Sequence, residues 1–257
     1  MDISVITVTW NAEDFIAEQI KSVRLACKNI SYEQFIVDNG SADKTVEVIT
    51  KNFPEIKLIR NDKNTGFGFP NNQAAKLAQG DFLLFLNPDM KVEEGGLAKM
   101  VEWMRKNPEA GIASCKLVKK DGSFNDNAKP RRFPTIWNQL AIAFKIPHFF
   151  PAVLDNYLYK NFDPDKEQEV DSVRGSFLLI RKEVYQKLGW AFDPRYFVWF
   201  EDVDTCREVK KIGFKVMYVP VMTCVDLVGQ SFKRRGFFWK QKLFFSSMFK
   251  YFWKWGI

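Results

Sequence analysis

Histidine is nearly absent from this chain of 257 residues, with His148 the only one. Cysteine is sparse as well: Cys27, Cys115, Cys206 and Cys224 lie far apart with no CxxC spacing. A structural zinc site of the usual ligand count is therefore excluded, and the cysteines read as reduced core thiols. No stretch reaches the ~18 uninterrupted apolar residues of a membrane-spanning helix. The opening MDISVITVTW has no basic region ahead of its apolar residues, so no secretory signal is read and a cytosolic protein is expected. Internal repeats and low-complexity tracts are lacking too.

What is present is an ordinary globular composition, 46% hydrophobic and 27% charged, enough for one large domain with or without an appendage. The net charge of +7 fits nucleic acid, an anionic substrate or a membrane surface. The excess sits in loops and at the end, in the cluster Lys129, Arg131 and Arg132 and from Lys233 onward among aromatics. No nucleic-acid-binding module is recognisable, and no nucleic-acid partner is expected.

Short apolar, β-branched runs alternate with helix-period stretches through the first half. Strands are expected at 3–9, 34–37, 57–59 and 81–86, with helices at 11–28, 44–51 and 71–78 between them. A helix at 97–105 and a strand at 111–118 follow. The pattern predicts βαβ units and a mostly parallel central sheet flanked by helices. Residues 119–171, rich in proline and aromatics, read as loops and short helices over a crevice. Order resumes with a strand at 172–180, a helix at 184–188, a helix from Glu201 stopped by Gly213, and a strand at 215–219.

In such sheets ligands collect at the carboxyl ends of strands, and three strands here end in polar tips: Thr9-Trp10-Asn11, Asp38-Asn39-Gly40-Ser41 and Asn87-Pro88-Asp89. Asp89, stiffened by Pro88, suits a hard divalent cation; an Asx turn that merely ends the strand is the other reading. Asp38 can accept hydrogen bonds from a base or ribose, while Ser41 or Asp43 caps the next helix. The loop from Asn64 to Pro70, with Gly66 and Gly68, either cradles phosphate at a helix N-terminus or is a tight turn needing positive φ. Glu201, Asp202 and Asp204 put three carboxylates at a helix start, more than a cap requires. One of them in a partly apolar pocket fits a general base.

The ordered strings VITVTWN, VDNGSAD, NTGFGFPNN, GDFLLFLNPD, VRGSFLLIRKEVY and FEDVDTCREVKKIGFKVMYVP resemble the inverting, nucleotide-sugar-dependent glycosyltransferases of family 2. Within that family the chain is similar to rhamnosyltransferase-like members that build cell-envelope polysaccharides. The resemblance runs from Ile3 to Ser231 and rests on several motifs. It implies the Rossmann-like α/β fold called GT-A, a nucleotide-sugar donor such as dTDP-rhamnose, and a glycan or polyprenyl-linked acceptor. It also implies an Mg²⁺ or Mn²⁺ cofactor. Carried over to this sequence, the donor site is Thr9, Asn11, Asp38, Asn39, Asn64, Gly66, Phe67, Asn72 and Asn87, with Arg174 and Gly175 on the floor. Asp202 is the implied catalytic base beside Glu201, and Asp89 the metal ligand.

Two departures from the family pattern stand out. Asn87 puts a neutral amide where many relatives carry a carboxylate, leaving Asp89 as the dependable ligand. Where similar proteins have His-x-x-Gly-x-Ser, this chain has Asp226-Leu227-Val228-Gly229-Gln230-Ser231, so Asp226 is expected to compensate as a second oxygen ligand.

The resemblance divides the chain into a catalytic domain, 1–232, and a basic aromatic tail, 233–257. The domain splits into a nucleotide-sugar half, 1–118, and an acceptor half, 119–232. On a helical wheel the tail sets Phe244, Phe245, Met248, Phe249, Tyr251, Phe252 and Trp255 against Ser246, Ser247, Lys250 and Lys254. Such an amphipathic helix, 237–255, suits the inner face of a membrane, the protein's own core, or a second subunit in a dimer. A metal-dependent sugar nucleotidyltransferase would show a basic, glycine-rich loop after the first strand, which Thr9-Trp10-Asn11 is not. A non-catalytic nucleotide-sugar-binding module would not need Glu201 and Asp202. His148 reads as an exposed loop residue.

Overall fold

A computed structural model describes residues 1–227 and 236–257. The part of the Asp226 string beyond Leu227, the basic residues Lys233 to Arg235 and the expected boundary at 232/233 lie outside the described residues.

The β-branched N-terminal run forms β1 (Ile3–Thr9), buried along nearly its whole length. Helix α1 (Ile16–Ala26), β2 (Tyr32–Asp38), α2 (Thr45–Asn52), β3 (Lys57–Arg60), α3 (Gly68–Ala75) and β4 (Phe82–Leu86) follow. These strands pair in parallel in the order β3-β2-β1-β4. Helix α1 begins five residues later than its periodicity suggests, because Asn11 has a left-handed backbone, φ 53°, that a helix cannot continue through. Helix α3 begins three residues earlier, with Pro70 in its first turn, where the missing N–H costs nothing.

The second half is more mixed than the first. After β5 (Met90–Val92) and α4 (Gly96–Lys106) come β6 (Ala110–Val118), α5 (Ile136–Ala143), β7 (Gln168–Glu169), β8 (Phe177–Arg181), α6 (Lys182–Leu188), α7 (Glu201–Lys211), β9 (Lys215–Asp226) and α8 (Phe237–Trp255). Strand β8 joins β4 and β6 antiparallel, β6 and β9 run parallel, and β5 and β7 join β9 antiparallel. Strand β8 starts later than residue 172, leaving Arg174, Gly175 and Ser176 in a bend held by Asn87 N donating to Ser176 O (3.0 Å). Strand β9 runs past Pro220, because its pairing with β6 jumps from Tyr218 to Thr223 and the proline sits in the irregularity. Strand β5, only three residues long, gave no periodic signal.

Side chains alternate across the sheet. Ile3, Val5, Leu84 and Leu179 face α1 and α4, whereas Ile6, Phe85, Leu178 and Ile180 face α3, α6 and α7. The four cysteines are buried and free, as expected, and His148 is exposed.

Helix α8 docks on the domain. Tyr251 and Phe252 are buried against Tyr196 and Phe200, flanked by Phe244, Met248 and Trp255. The supposed polar side is the anchor. Lys254 Nζ lies 2.6 Å from Asp204, 2.9 Å from Glu208 and 3.0 Å from Asp193. Ser247 donates to Val198 O (2.8 Å), and Lys250 donates to Arg195 O (2.7 Å). With these partners on one side, Phe245, Phe249 and Trp253, four residues apart, point outward. The wheel correctly joined Tyr251 to Phe252 but misplaced Phe245, Phe249, Ser247 and Lys254, because the groups that bind the polar residues lie some fifty residues upstream.

Lys254 is shared by three carboxylates, of which Asp204 is fully buried. Burial opposes the charge of Asp193, but hydrogen bonds from Arg195 and Lys254 hold its pKa at about 2, below the ordinary 3.8. Its contribution to stability is present above 3.8 and is lost as pH falls through about 2. Lys254→Met should cost about 3 kcal/mol in urea unfolding at neutral pH. The gap between variant and wild type should narrow below about pH 4.

Candidate active site

The polar tips converge as the strand arrangement requires. A cavity of about 360 Å³ at the carboxyl edge of β1 and β4 is lined by Thr9, Trp10, Asn39, Asn64, Gly66, Phe67, Asn87 and Asp89 from the first half. The second half contributes Arg174, Gly175, Glu201, Asp202 and Asp226. Asp89 and Asp202, over a hundred residues apart, thus face one space.

The loop after β3 is held by hydrogen bonds to Asn39 and Phe197. Asn39 Nδ2 donates to Gly66 O (2.8 Å), and its Oδ1 accepts from Thr65 N (3.1 Å). Phe67 N donates to Phe197 O (2.7 Å). Gly66 is a necessity there: its φ is 94°, and a Cβ would stand 2.3 Å from Phe197 O. The tight-turn reading of this loop therefore holds, and the loop still lines the cavity.

Asp202 opens α7. Its Oδ2 accepts from Gly175 N (3.0 Å) and its Oδ1 from Val203 N (2.8 Å), which fixes the carboxylate while leaving it acceptor capacity. Before it, Trp199 and Phe200 take consecutive left-handed conformations, φ 66° and 68°. Bulky residues are rarely found there. The burial of Phe200 against α8 and the Ser247 bond to Val198 O hold this segment in place. Asp204, the third carboxylate, faces away from the cavity and accepts from Lys254 (2.6 Å) and Trp255 Nε1 (2.8 Å). It anchors the tail.

Asp89 and Asp226 are brought together by strand pairing. Met90 registers with Asp226 across β5 and β9, and Leu227 N donates to Asp89 O (3.1 Å). Asn125 Nδ2 donates to Asp226 Oδ2 (3.1 Å). Two carboxylates with amides beside them fit Mg²⁺ or Mn²⁺, which completes its shell with water and phosphate. Among the described residues no group of three His, Cys, Asp or Glu side chains is placed to hold a metal alone.

Three residues of the expected donor set lie elsewhere. Asn72 spends its amide on structure, donating to Phe192 O (2.6 Å) and accepting from Ala191 N (2.9 Å) and Phe192 N (3.1 Å). Asn11 ties β1 to the next loop, donating from its backbone to Ser41 Oγ (2.9 Å) and accepting from Ala42 N (2.8 Å). Asp38 lines a separate cleft with Arg60, Asn61 and Asp62, one residue along the chain from Asn39. Ser176, which the resemblance groups with Arg174 and Gly175 on the acceptor side of the floor, lines the main cavity, and so do Asn125 and Trp239, neither of which stands in a recognisable spacing.

Four buried side-chain atoms of the cavity's residues, Thr9 Oγ1, Ser176 Oγ, Glu201 Oε2 and Arg174 Nε, have no hydrogen-bond partner among the described residues. Orphaned polar atoms are costly. Gathered in one cavity, they fit a polar ligand.

The sequence profile of glycosyl transferase family 2 matches residues 4–189. An N-acetylglucosaminyl-diphospho-decaprenol L-rhamnosyltransferase of Mycobacterium tuberculosis is 27% identical over 229 residues, 84% of this chain and 73% of that one. The rhamnosyltransferase WbbL of Escherichia coli is 23% identical, with 96% of this chain and 91% of its own covered. Among solved structures, the mannosyltransferase PcManGT of Pyrobaculum calidifontis, in complex with GDP-Man and Mn²⁺, superposes with a TM-score of 0.62 at 19% identity. That match covers 96% of this chain and 64% of the other. S. aureus TarS also gives 0.62, at 18% identity, over 89% of this chain and 37% of its own. These likenesses establish the GT-A fold.

Burial, with the neighbouring Asp202 charge, pushes the Glu201 carboxyl well above its ordinary 4.5. The unfolded chain releases this proton near pH 4.5 while the folded chain keeps it, so stability falls as pH rises above that point. Glu201→Gln should therefore gain thermal stability relative to wild type above about pH 4.5, by a margin that grows with pH and vanishes in acid.

Proposed function

The chain belongs to glycosyl transferase family 2, and from that premise we propose that it transfers rhamnose, with inversion, from a nucleoside diphosphate to a hydroxyl of a lipid-linked glycan. The rhamnosyltransferase names of two relatives that it matches over most of their length support the sugar. The diphospho-decaprenol in one of those names supports the acceptor class. The observation that carries the reading is the single cavity with Asp89 and Asp226 at one part of its wall and Asp202 at another. The nucleotidyltransferase and non-catalytic alternatives are not favoured.

In this mechanism Asp202 accepts the proton of the acceptor hydroxyl as that oxygen attacks the anomeric carbon, and one attack inverts the configuration. Gly175 N and the start of α7 orient the carboxylate for that transfer. Burial and the neighbouring Asp202 charge favour the neutral form of Glu201, which limits a second charge beside Asp202. Asp89 and Asp226 would hold Mg²⁺ or Mn²⁺, which when bound neutralises charge on the departing nucleoside diphosphate. Thr9, Asn39 and the 64–67 loop bound the donor side of the cavity.

Helix α8 supplies a surface for a lipid-borne acceptor. Residues 237–255 contain four lysines and no acid, and Phe249 and Trp253 are 66% and 78% exposed. Among the described residues no helix is long and apolar enough to cross a membrane, so the contact is with the interface.

Two measurements test this function. Asp202→Asn should slow donor-dependent transfer ~10²–10⁴-fold with donor binding retained, whereas Asp89→Ala should weaken Mn²⁺-dependent donor binding in calorimetry. Normal turnover by Asp202→Asn would remove it from the mechanism. In flotation with phosphatidylglycerol vesicles, the double change Phe249→Ser and Trp253→Ser should release the protein without lowering its melting temperature. Equal flotation of both proteins would exclude this face as the contact.

A further inference from the structure

A second cavity of about 130 Å³ shares Arg174, Trp199, Glu201 and Asp202 with the main one and adds Arg131 and Tyr157. The metal-binding carboxylates Asp89 and Asp226 belong to the first cavity alone. Asp202 therefore stands between a chamber fitted for the donor and another that the donor does not need. A general base in that position serves a hydroxyl arriving from the second chamber.

The second chamber is built around two arginines that make no salt bridge with a carboxylate among the described residues, although Asp202 shares the chamber. The guanidinium carbon of Arg131 lies 5.9 Å from the centre of the Tyr157 ring, and its Nε is buried without a partner among the described residues. Arg174 donates through Nη2 to Asn127 O, and its Nε is likewise buried and unpartnered. Burial, with the Arg131 charge beside it, lowers the Arg174 guanidinium to about 10, although Asp202, Tyr157 and Asp226 act in the other direction. Two neighbouring like charges with unused buried donors are unfavourable until an anion lies against them. Guanidinium forks match phosphate oxygens, giving short charge-assisted hydrogen bonds.

We propose that Arg131 and Arg174 form a subsite for the diphosphate of the acceptor, next to the sugar whose hydroxyl Asp202 deprotonates. This rests on the glycosyltransferase reading and extends it to acceptor recognition. Phe244 and Pro134 also line the chamber, and Phe244 precedes Phe245 on the outward face of α8. A lipid tail leaving the arginines in that direction meets the aromatic surface assigned to the membrane interface. Lys129 borders the chamber too, but its ammonium sits 5.5 Å over the Phe162 ring and is left out of the subsite.

The shared chemistry is a diphosphate, and the donor carries one as well, so the test separates the two sources. Calorimetry on the full chain with Mn²⁺ would compare farnesyl diphosphate with UDP and dTDP. Arg131→Gln should weaken farnesyl diphosphate about tenfold or more, leaving nucleotide affinity within about twofold of wild type. Arg131→Lys should fall between, since it keeps the charge and loses the fork. Arg132→Gln, whose exposed guanidinium lies over Tyr159, should change neither affinity. Thermal melts of each variant would show that the fold persists. A parallel loss of nucleotide affinity in Arg131→Gln would assign the arginines to the donor and overturn the proposal. Unchanged farnesyl diphosphate binding in that variant, or none in wild type, would also overturn it. Failure of the family reading shows separately, as a wild-type chain that binds neither nucleotide.

Discussion

The ion cluster of Lys254 with Asp193, Asp204 and Glu208 is the constraint on which the geometry of the candidate site depends. It joins the last turns of α8 to both sides of the segment that leads into Asp202. Between those anchors, Phe200 is buried on Tyr251 and Phe252, and Trp199 and Phe200 keep a backbone that bulky side chains normally avoid. The strain is local and the support comes from the end of the chain. Without α8, nothing evident in the sequence of this loop would hold Glu201 and Asp202 at the cavity wall.

The same logic explains how a mixed sheet makes one site. The parallel half delivers polar tips at one edge, because every parallel strand ends on the same side. The second half reaches that edge by other means: an antiparallel pairing of β5 with β9 sets Asp226 beside Asp89, and a bend before β8 brings Arg174 and Gly175 under Asp202. Phe197 O, bonded to Phe67 N, ties the two halves across the cavity, and Gly66 permits that approach. The site is a seam, and each of its walls is fixed by a hydrogen bond to the opposite half.

What was legible in the sequence follows from this. Strands β1, β2 and β4 announce themselves by β-branched runs, and their polar tips are visible as abrupt changes of composition. Asp89 and Asp202 stand out as candidates because strand-end and helix-start carboxylates carry a local signature, and both line the one cavity. Asn72 and Asn11 spend their amides on structure and do not line the cavity; an amide lining a pocket and an amide clamping a loop look alike in sequence until their partners are known, and those partners are as much as 120 residues away. Asp204 was grouped with Asp202 by adjacency, although at a helix start two residues of separation turn a side chain to a different face. Arg131 stood in plain view as charge. Its meaning depends on Arg174, forty-three positions later, and on the buried, unpartnered Nε of each.

Helix α8 shows why amphipathicity alone could not decide its role. A wheel ranks residues by hydrophobicity, which assumes that charged groups face water. Lys254 breaks the assumption, because three carboxylates replace its hydration and its side chain is only 11% exposed. Once that face turns inward, the aromatics at 245, 249 and 253 must turn outward, since a helix cannot bury both. The ionic anchor that steadies the loop before Asp202 therefore also creates the exposed aromatic surface, and one docking event fixes both.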